Sequence, residues 1–204
     1  MTQTAEAPLS SSRVVLGTLT WLLFALIAGA AGLVAALPPP FPLLVLLGLV
    51  VGVLGLLRAS RRFRAWALMV DIRALVLIHA TRLVGAYFLM LHARGELPWA
   101  FAVPGGWGDI TVAAAALAVV AWAPRRGSAG WSAFFLWNAT GFVDIALVVA
   151  TATRLGMADP NSMEALARLP LSLLPTFLVP IIVATHVVIF LRLVASRRAG
   201  YAPF

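Results

Sequence analysis

Six long apolar runs dominate this chain and restrict it to one kind of fold. They cover Val14 to Leu37, Phe41 to Leu57, Trp66 to Leu91, Trp107 to Ala123, Trp131 to Thr153 and Leu171 to Val194. At about 1.5 Å per residue such runs reach across most or all of a hydrocarbon core of about 30 Å. Within hydrocarbon each segment must satisfy its own backbone hydrogen bonds, so the runs read as α-helices. The expected architecture is an all-α integral membrane bundle of about six transmembrane helices. Composition agrees. Charged residues make up only 11% of the chain and hydrophobic ones 62%, against about 25% charged in a soluble domain. A soluble fold of 204 residues has too little interior to hide that much apolar surface.

The first run is longer than the apolar stretch of a signal peptide, about 7–15 residues, and it ends in Pro38-Pro39-Pro40. We therefore expect a retained span. Residues 1–13 read as a disordered cytoplasmic N-terminus, 14–194 as one six-span domain and 195–204 as a cytoplasmic tail. No internal duplication is evident. Gly48 and Gly52 form a small-residue face suited to close helix approach.

The net charge of +8 comes entirely from Arg; the chain has no Lys and no Cys. These absences exclude Schiff-base lysine chemistry, disulfides and thiolate metal sites. The Arg residues sit at the ends of the runs: Arg13 before the first, Arg58, Arg61, Arg62 and Arg64 between the second and third, Arg125 and Arg126 between the fourth and fifth, Arg192, Arg197 and Arg198 at the last. With six crossings all of them fall on one side, which the positive-inside rule makes cytoplasmic. The topology expected is N-in, C-in, in the cell membrane of a bacterial type. No basic face with interleaved aromatics exists outside the spans, so nucleic acid is not an expected partner. The expected partners are the lipid bilayer, a small-molecule or ion substrate, and a second copy of the chain.

Ionisable residues inside spans are costly and usually face the bundle interior. The third run holds Asp71, His79 and Arg82; the fifth holds Asn138 and Asp144; the sixth holds Ser172, Thr176 and His186; Asp109 opens the fourth at its outer end. At about 100° per residue Asp71, Arg82 and Leu89 share a stripe with His79 on its flank. Counting from the cytoplasmic ends puts Arg82 and Asp144 both at roughly 20–25 Å, so the two are expected to pair. The candidate polar core or substrate site is Arg82, Asp144, His79, Asp109, Asn138 and His186. His79 and His186 raise the possibility of bis-histidine haem, but their estimated depths differ by several Å and His92 faces away from His79. No carboxylate stands at ligand spacing from them. No cofactor or metal is expected, and the purified protein should be colourless.

Two outer segments read as more than connectors. Asp159-Pro160 is a helix start followed by Pro at the first helical position, so a short surface helix over Asn161 to Arg168 is expected. Gly95 to Asp109, reading GELPWAFAVPGGWGD, is apolar and full of helix breakers, and reads as an interfacial or re-entrant segment. With Arg82-x-x-Gly85-x-x-Phe88 before it, this stretch resembles a widespread group of small bacterial multi-span proteins of no established activity. The resemblance covers mainly the third span to the start of the fourth. It implies no catalytic residue or cofactor, but it directs attention to the outer segment and Asp109 as a site.

Three function classes fit these residues. One is a carrier for a small anionic solute or proton using the Arg, Asp and His core. A second is a structural or complex subunit whose polar residues hold helices together. A third is an enzyme acting on a lipid or isoprenoid, with Asp109 and Asp144 as acid and base. No Gly-x-Ser-x-Gly or His-Glu-x-x-His motif supports the third. Reporter fusions after Pro39, Gly95 and Pro160 should report the outer side, and fusions after Arg62 and Arg126 the inner side. Inversion at Arg62 or Arg126 would reject the six-span topology.

Overall fold

The computed structural model describes residues 7–123 and 127–199. The expectations for residues 1–6, Arg125, Arg126 and 200–204 lie outside the described residues. Six helices are long and apolar enough to cross a membrane: Ser11–Ala30, Phe41–Ala59, Ile72–Ala93, Trp99–Trp122, Ala129–Ala158 and Leu174–Arg197, here spans one to six. Among the described residues there is no strand. The protein is a multi-pass helical membrane bundle.

Burial grades the spans. Span six is 56% buried and forms the centre, whereas span one is 6% buried and stands at the perimeter. Three apolar clusters fill the interior, the smallest being Leu46, Ile145, Val179 and Ile182 of spans two, five and six. Of the larger two, one gathers Ile72, Val76, Ala116, Phe134, Trp137, Ile189 and Leu193 towards one end of the bundle. The other gathers Phe88, Leu91, Leu97, Phe101, Met163 and Leu171 towards the opposite end. The polar residues lie between these two.

Several expected boundaries move, each for a local reason. The third run does not start at Trp66. Arg61–Met69 is a separate helix, with Arg61, Arg62 and Arg64 exposed and Ala67 buried, the pattern of a helix lying in the interface. The chain then breaks, and Asp71 caps span three by accepting from the Arg73 N–H at 2.9 Å. Asp71 is therefore an exposed helix cap and not an interior acid. Arg73 reaches the end of span four and donates to the carbonyls of Val120 and Ala123, completing acceptors a helix C-terminus leaves free. Residues 7–13 are ordered. Arg62 Nε donates to the Ala7 carbonyl at 3.1 Å, and the Leu9 N–H donates to the Arg62 carbonyl at 3.2 Å.

Span four begins at Trp99, eight positions before the expected Trp107, and runs unbroken through Pro104. The Gly95 to Asp109 stretch thus supplies a spanning helix, not a re-entrant loop. Without competing water, glycines and an internal proline do not stop a membrane helix. After span five, Asp159 caps a short 3₁₀ helix over Pro160–Ala167, the surface helix expected there.

Glycine decides where backbones meet. A Cβ on Gly85 would overlap the Gly106 carbonyl oxygen and lie 2.8 Å from the Asp109 Cβ; one on Gly106 would lie 2.8 Å from the Gly85 carbonyl oxygen. Spans three and four therefore cross at a backbone-to-backbone contact. By contrast, a Cβ on Gly48 or Gly52 would meet nothing within 4 Å, so the small-residue face of span two makes no close helix contact within the chain. Gly85→Ala should lose about 1–3 kcal/mol or more, the usual cost of overpacking. Gly48→Ala and Gly52→Ala should be neutral or slightly stabilising. Thermal unfolding in detergent compares them, and equal effects at the two sites would contradict the crossing.

Candidate functional site

The site is organised by span three. Ile78–Val84 leaves α geometry for a 3₁₀ stretch, in which residues three apart stand one above the other. His79 and Arg82 are therefore aligned on one edge, closer in azimuth than a regular α-helix allows. Both are buried, His79 completely and Arg82 to within 1%.

Arg82 meets an acceptor from each neighbouring span. Its Nε donates to Asp109 Oδ1 of span four at 2.6 Å, one Nη to the Gly141 carbonyl of span five at 2.9 Å, and the other Nη to Asp144 Oδ2. The expected Arg82–Asp144 contact is present, but it belongs to a triad of one guanidinium and two carboxylates. Asp109 is central because its helix starts ten residues earlier, about 15 Å at 1.5 Å per residue. The two acids differ in surroundings. Asp109 is buried, whereas the Asp144 side chain is 23% exposed. Gly108 makes room for it: a Cβ there would overlap an Asp144 carboxylate oxygen.

Next to the triad is a histidine cluster. The His79 and His186 rings pack with centroids 4.2 Å apart, and Trp137 sits edge-on to His79 at 4.9 Å. The difference in depth expected between the two His residues is therefore absent. Direct ring contact also differs from the geometry of two axial haem ligands, which stand on opposite faces of a macrocycle. His186 Nδ1 meets Asn138 Oδ1 at 2.8 Å, while Asn138 Nδ2 donates to the His186 carbonyl at 3.1 Å. His79 Nε2 meets Thr185 Oγ1 at 3.1 Å. His79 Nδ1, His186 Nε2 and Ser172 Oγ are buried without a hydrogen-bond partner.

All six candidate residues thus fall in one connected region, Arg82 with Asp109 and Asp144, and His79 with His186 and Asn138. Gly141, Thr185, Trp137, Gly85 and Gly108 complete it. Sequence reasoning missed the three glycines because a carbonyl or a missing Cβ carries no side-chain signal, and Thr185 and Trp137 because a hydroxyl or an indole within an apolar helix reads as ordinary packing. A cavity of about 20 Å³ adjoins the triad, lined by Thr81, Arg82 and Asp109 with apolar side chains of spans five and six; that is room for about one water. Span six faces it with a π-helical turn over Leu174–Leu178, opposite the tightened turn of span three.

Residues 39–194 match the family described as domain of unknown function DUF8737. The chain belongs to this family. The matched region takes in spans two to six and the entire polar core, and leaves span one outside. No curated protein and no solved structure matches the chain. The family carries no established activity, so the reading of this DUF8737 domain rests on its geometry.

The triad changes what paired substitutions should do. Arg82→Leu alone strands two carboxylates and should cost at least the roughly 3–5 kcal/mol typical of an orphaned buried charge. Arg82→Leu with Asp144→Leu still strands Asp109 and should recover only part. Adding Asp109→Asn should recover most of the remainder. Chemical or thermal denaturation in detergent measures the series, and equal stability of the double and triple variants would show that Asp109 does not share the guanidinium.

Proposed function

We propose that this protein is a small multi-pass carrier of the cell membrane, with its Arg-rich side in the cytoplasm, in which the Arg82–Asp109–Asp144 triad binds and releases a proton as a solute moves. The observation that carries this reading is the charge count. One guanidinium faces two carboxylates inside the bundle, so the ionised triad holds one excess negative charge. An unbalanced ion away from water costs several kcal/mol. One added proton removes that excess. Asp144 is the exchanging member, since it alone of the three has a partly exposed side chain. Asp109 is the fixed counter-ion.

The surrounding helices support movement. The triad and its cavity lie between a 3₁₀ turn of span three and a π turn of span six. Irregular turns inside membrane helices expose backbone groups and concentrate at substrate sites. An anionic solute fits less well than a proton, because it would have to displace carboxylates already bonded to Arg82.

A second reading, a subunit whose core only locks helices together, is favoured by one observation. Arg82 already has a protein acceptor on each of its three nitrogens. Two measurements separate the readings. Infrared difference spectra of the purified protein should contain a protonated-carboxyl band that Asp144→Asn removes. In liposomes carrying an internal pH dye and an imposed potential, wild type should move protons and Asp144→Asn should not. Absence of both signals in a folded wild-type protein would leave the subunit reading.

A further inference from the structure

We propose that His79 and His186 form a second docking place for the Arg82 guanidinium, taken up when Asp144 loses its negative charge. The proposal rests on the reading of Asp144 as the exchanging acid and assigns the histidines a positioning role in that exchange.

The tautomers follow from neighbouring hydrogen bonds. Asn138 Nδ2 donates to the His186 carbonyl, which turns Asn138 Oδ1, an acceptor only, towards His186 Nδ1. His186 therefore carries its proton on Nδ1, and Nε2 holds a lone pair. Thr185 Oγ1 spends its one proton on the Ile182 carbonyl at 2.8 Å, so it accepts from His79 Nε2. His79 therefore carries its proton on Nε2, and Nδ1 holds a lone pair. Those two lone-pair nitrogens are the very atoms left buried and unpartnered. Opposite tautomers on two touching rings place two orphan acceptors in one region.

The matching donors are on Arg82. A guanidinium has five N–H groups, of which three donate here. One N–H on each Nη remains. The geometry brings them near the rings in two independent ways. Gly141 bonds Arg82 through its carbonyl, and a Cβ built on it would lie 3.5 Å from His186 Nε2. His79 stands directly over Arg82 along the 3₁₀ turn. The titratable and charged groups around the guanidinium, among the described residues, are Asp109 on span four, Asp144 on span five, His79 on its own span and His186 on span six.

With Asp144 ionised, the carboxylate holds one Nη. A proton from the aqueous side neutralises that carboxylate and weakens its hold. The guanidinium keeps Asp109 through Nε and turns its Nη groups to the two lone pairs, which satisfies acceptors that are otherwise empty. Loss of the proton reverses the turn. The charge on Asp144 is thereby coupled to span six, which bears His186, and through it to the π turn beside the cavity.

Nitrogen NMR of 15N-histidine-labelled protein in bilayers tests this. Wild type should show two neutral rings of opposite tautomer, each with an unbonded lone-pair nitrogen. In Asp144→Asn the His186 Nε2 resonance should move in the direction that accepting a hydrogen bond moves it. Asp144→Leu, which removes the charge with an apolar side chain, gives the same readout should the Asn variant not fold. Identical histidine spectra in wild type and the folded variant, or the same tautomer on both rings, would overturn the proposal. Because these substitutions remove the charge permanently, the turn is tested even if Asp144 never binds a proton, which the infrared experiment decides separately.

Discussion

A guanidinium cannot shed its proton inside a protein, so Arg82 carries a positive charge into the centre of the bundle whatever its surroundings. Most of the local architecture can be read as compensation for that charge. Two carboxylates must reach it, one from each adjoining span, and both spans must come close. Gly85 and Gly106 let spans three and four touch through their backbones, which brings Asp109 to Nε. Gly108 leaves the space that Asp144 fills, and the Gly141 carbonyl takes the remaining contact. Replacing any of these glycines would not remove a charge, yet it would displace the partners of one. In hydrocarbon such a displacement matters, because no solvent stands ready to complete the pairing.

The same accounting explains span one, which is mostly exposed and lies outside the family match. Pro180 has no N–H, so in a regular helix the carbonyl four residues earlier, on Thr176, loses its partner. Trp21 of span one donates its indole N–H to that carbonyl at 2.8 Å, and its ring packs edge-on against Phe177. Arg192 reaches the Val70 carbonyl at the break before span three, and Trp131 adds an indole N–H bond to the Leu193 carbonyl within span six. Long polar side chains thus satisfy backbone groups that proline and helix ends release, which is how an irregular central helix survives in a membrane.

The sequence reveals much of this, and its failures have physical causes. Span number, the ordering of Arg at span ends and the meeting of Arg82 with Asp144 all follow from length, charge and rise per residue. The depth of Asp109 does not, because Pro104, Gly105, Gly106 and Gly108 read as breakers by the rules of helices in water. Histidine contact is missed for a related reason. Counted from Trp66, His79 lies 13 residues in, about 20 Å at 1.5 Å per residue, whereas span three starts only at Ile72, which puts His79 about 10 Å in, level with His186. Asp71 is misplaced because a helix cap and an interior acid look alike when an apolar run continues on both sides. What cannot be read from side chains at all is the role of Gly141, whose contribution is a carbonyl.

The two acids of the triad share one cation but not one environment, and this asymmetry is the strongest reason to regard the core as more than a lock. Sealing both carboxylates around one guanidinium would bury an unbalanced negative charge. Here one is sealed and the other is only partly so: the Asp109 side chain is 4% exposed, and the Asp144 side chain 23%. The Asp144 carboxylate packs into the space left by the missing Cβ of Gly108. Two buried acceptor nitrogens, on His79 and His186, have no hydrogen-bond partner. A lock with vacant partners on one side and an accessible partner on the other has two ways to close. On the proposed reading, proton occupancy at Asp144 is the smallest chemical change that selects between them.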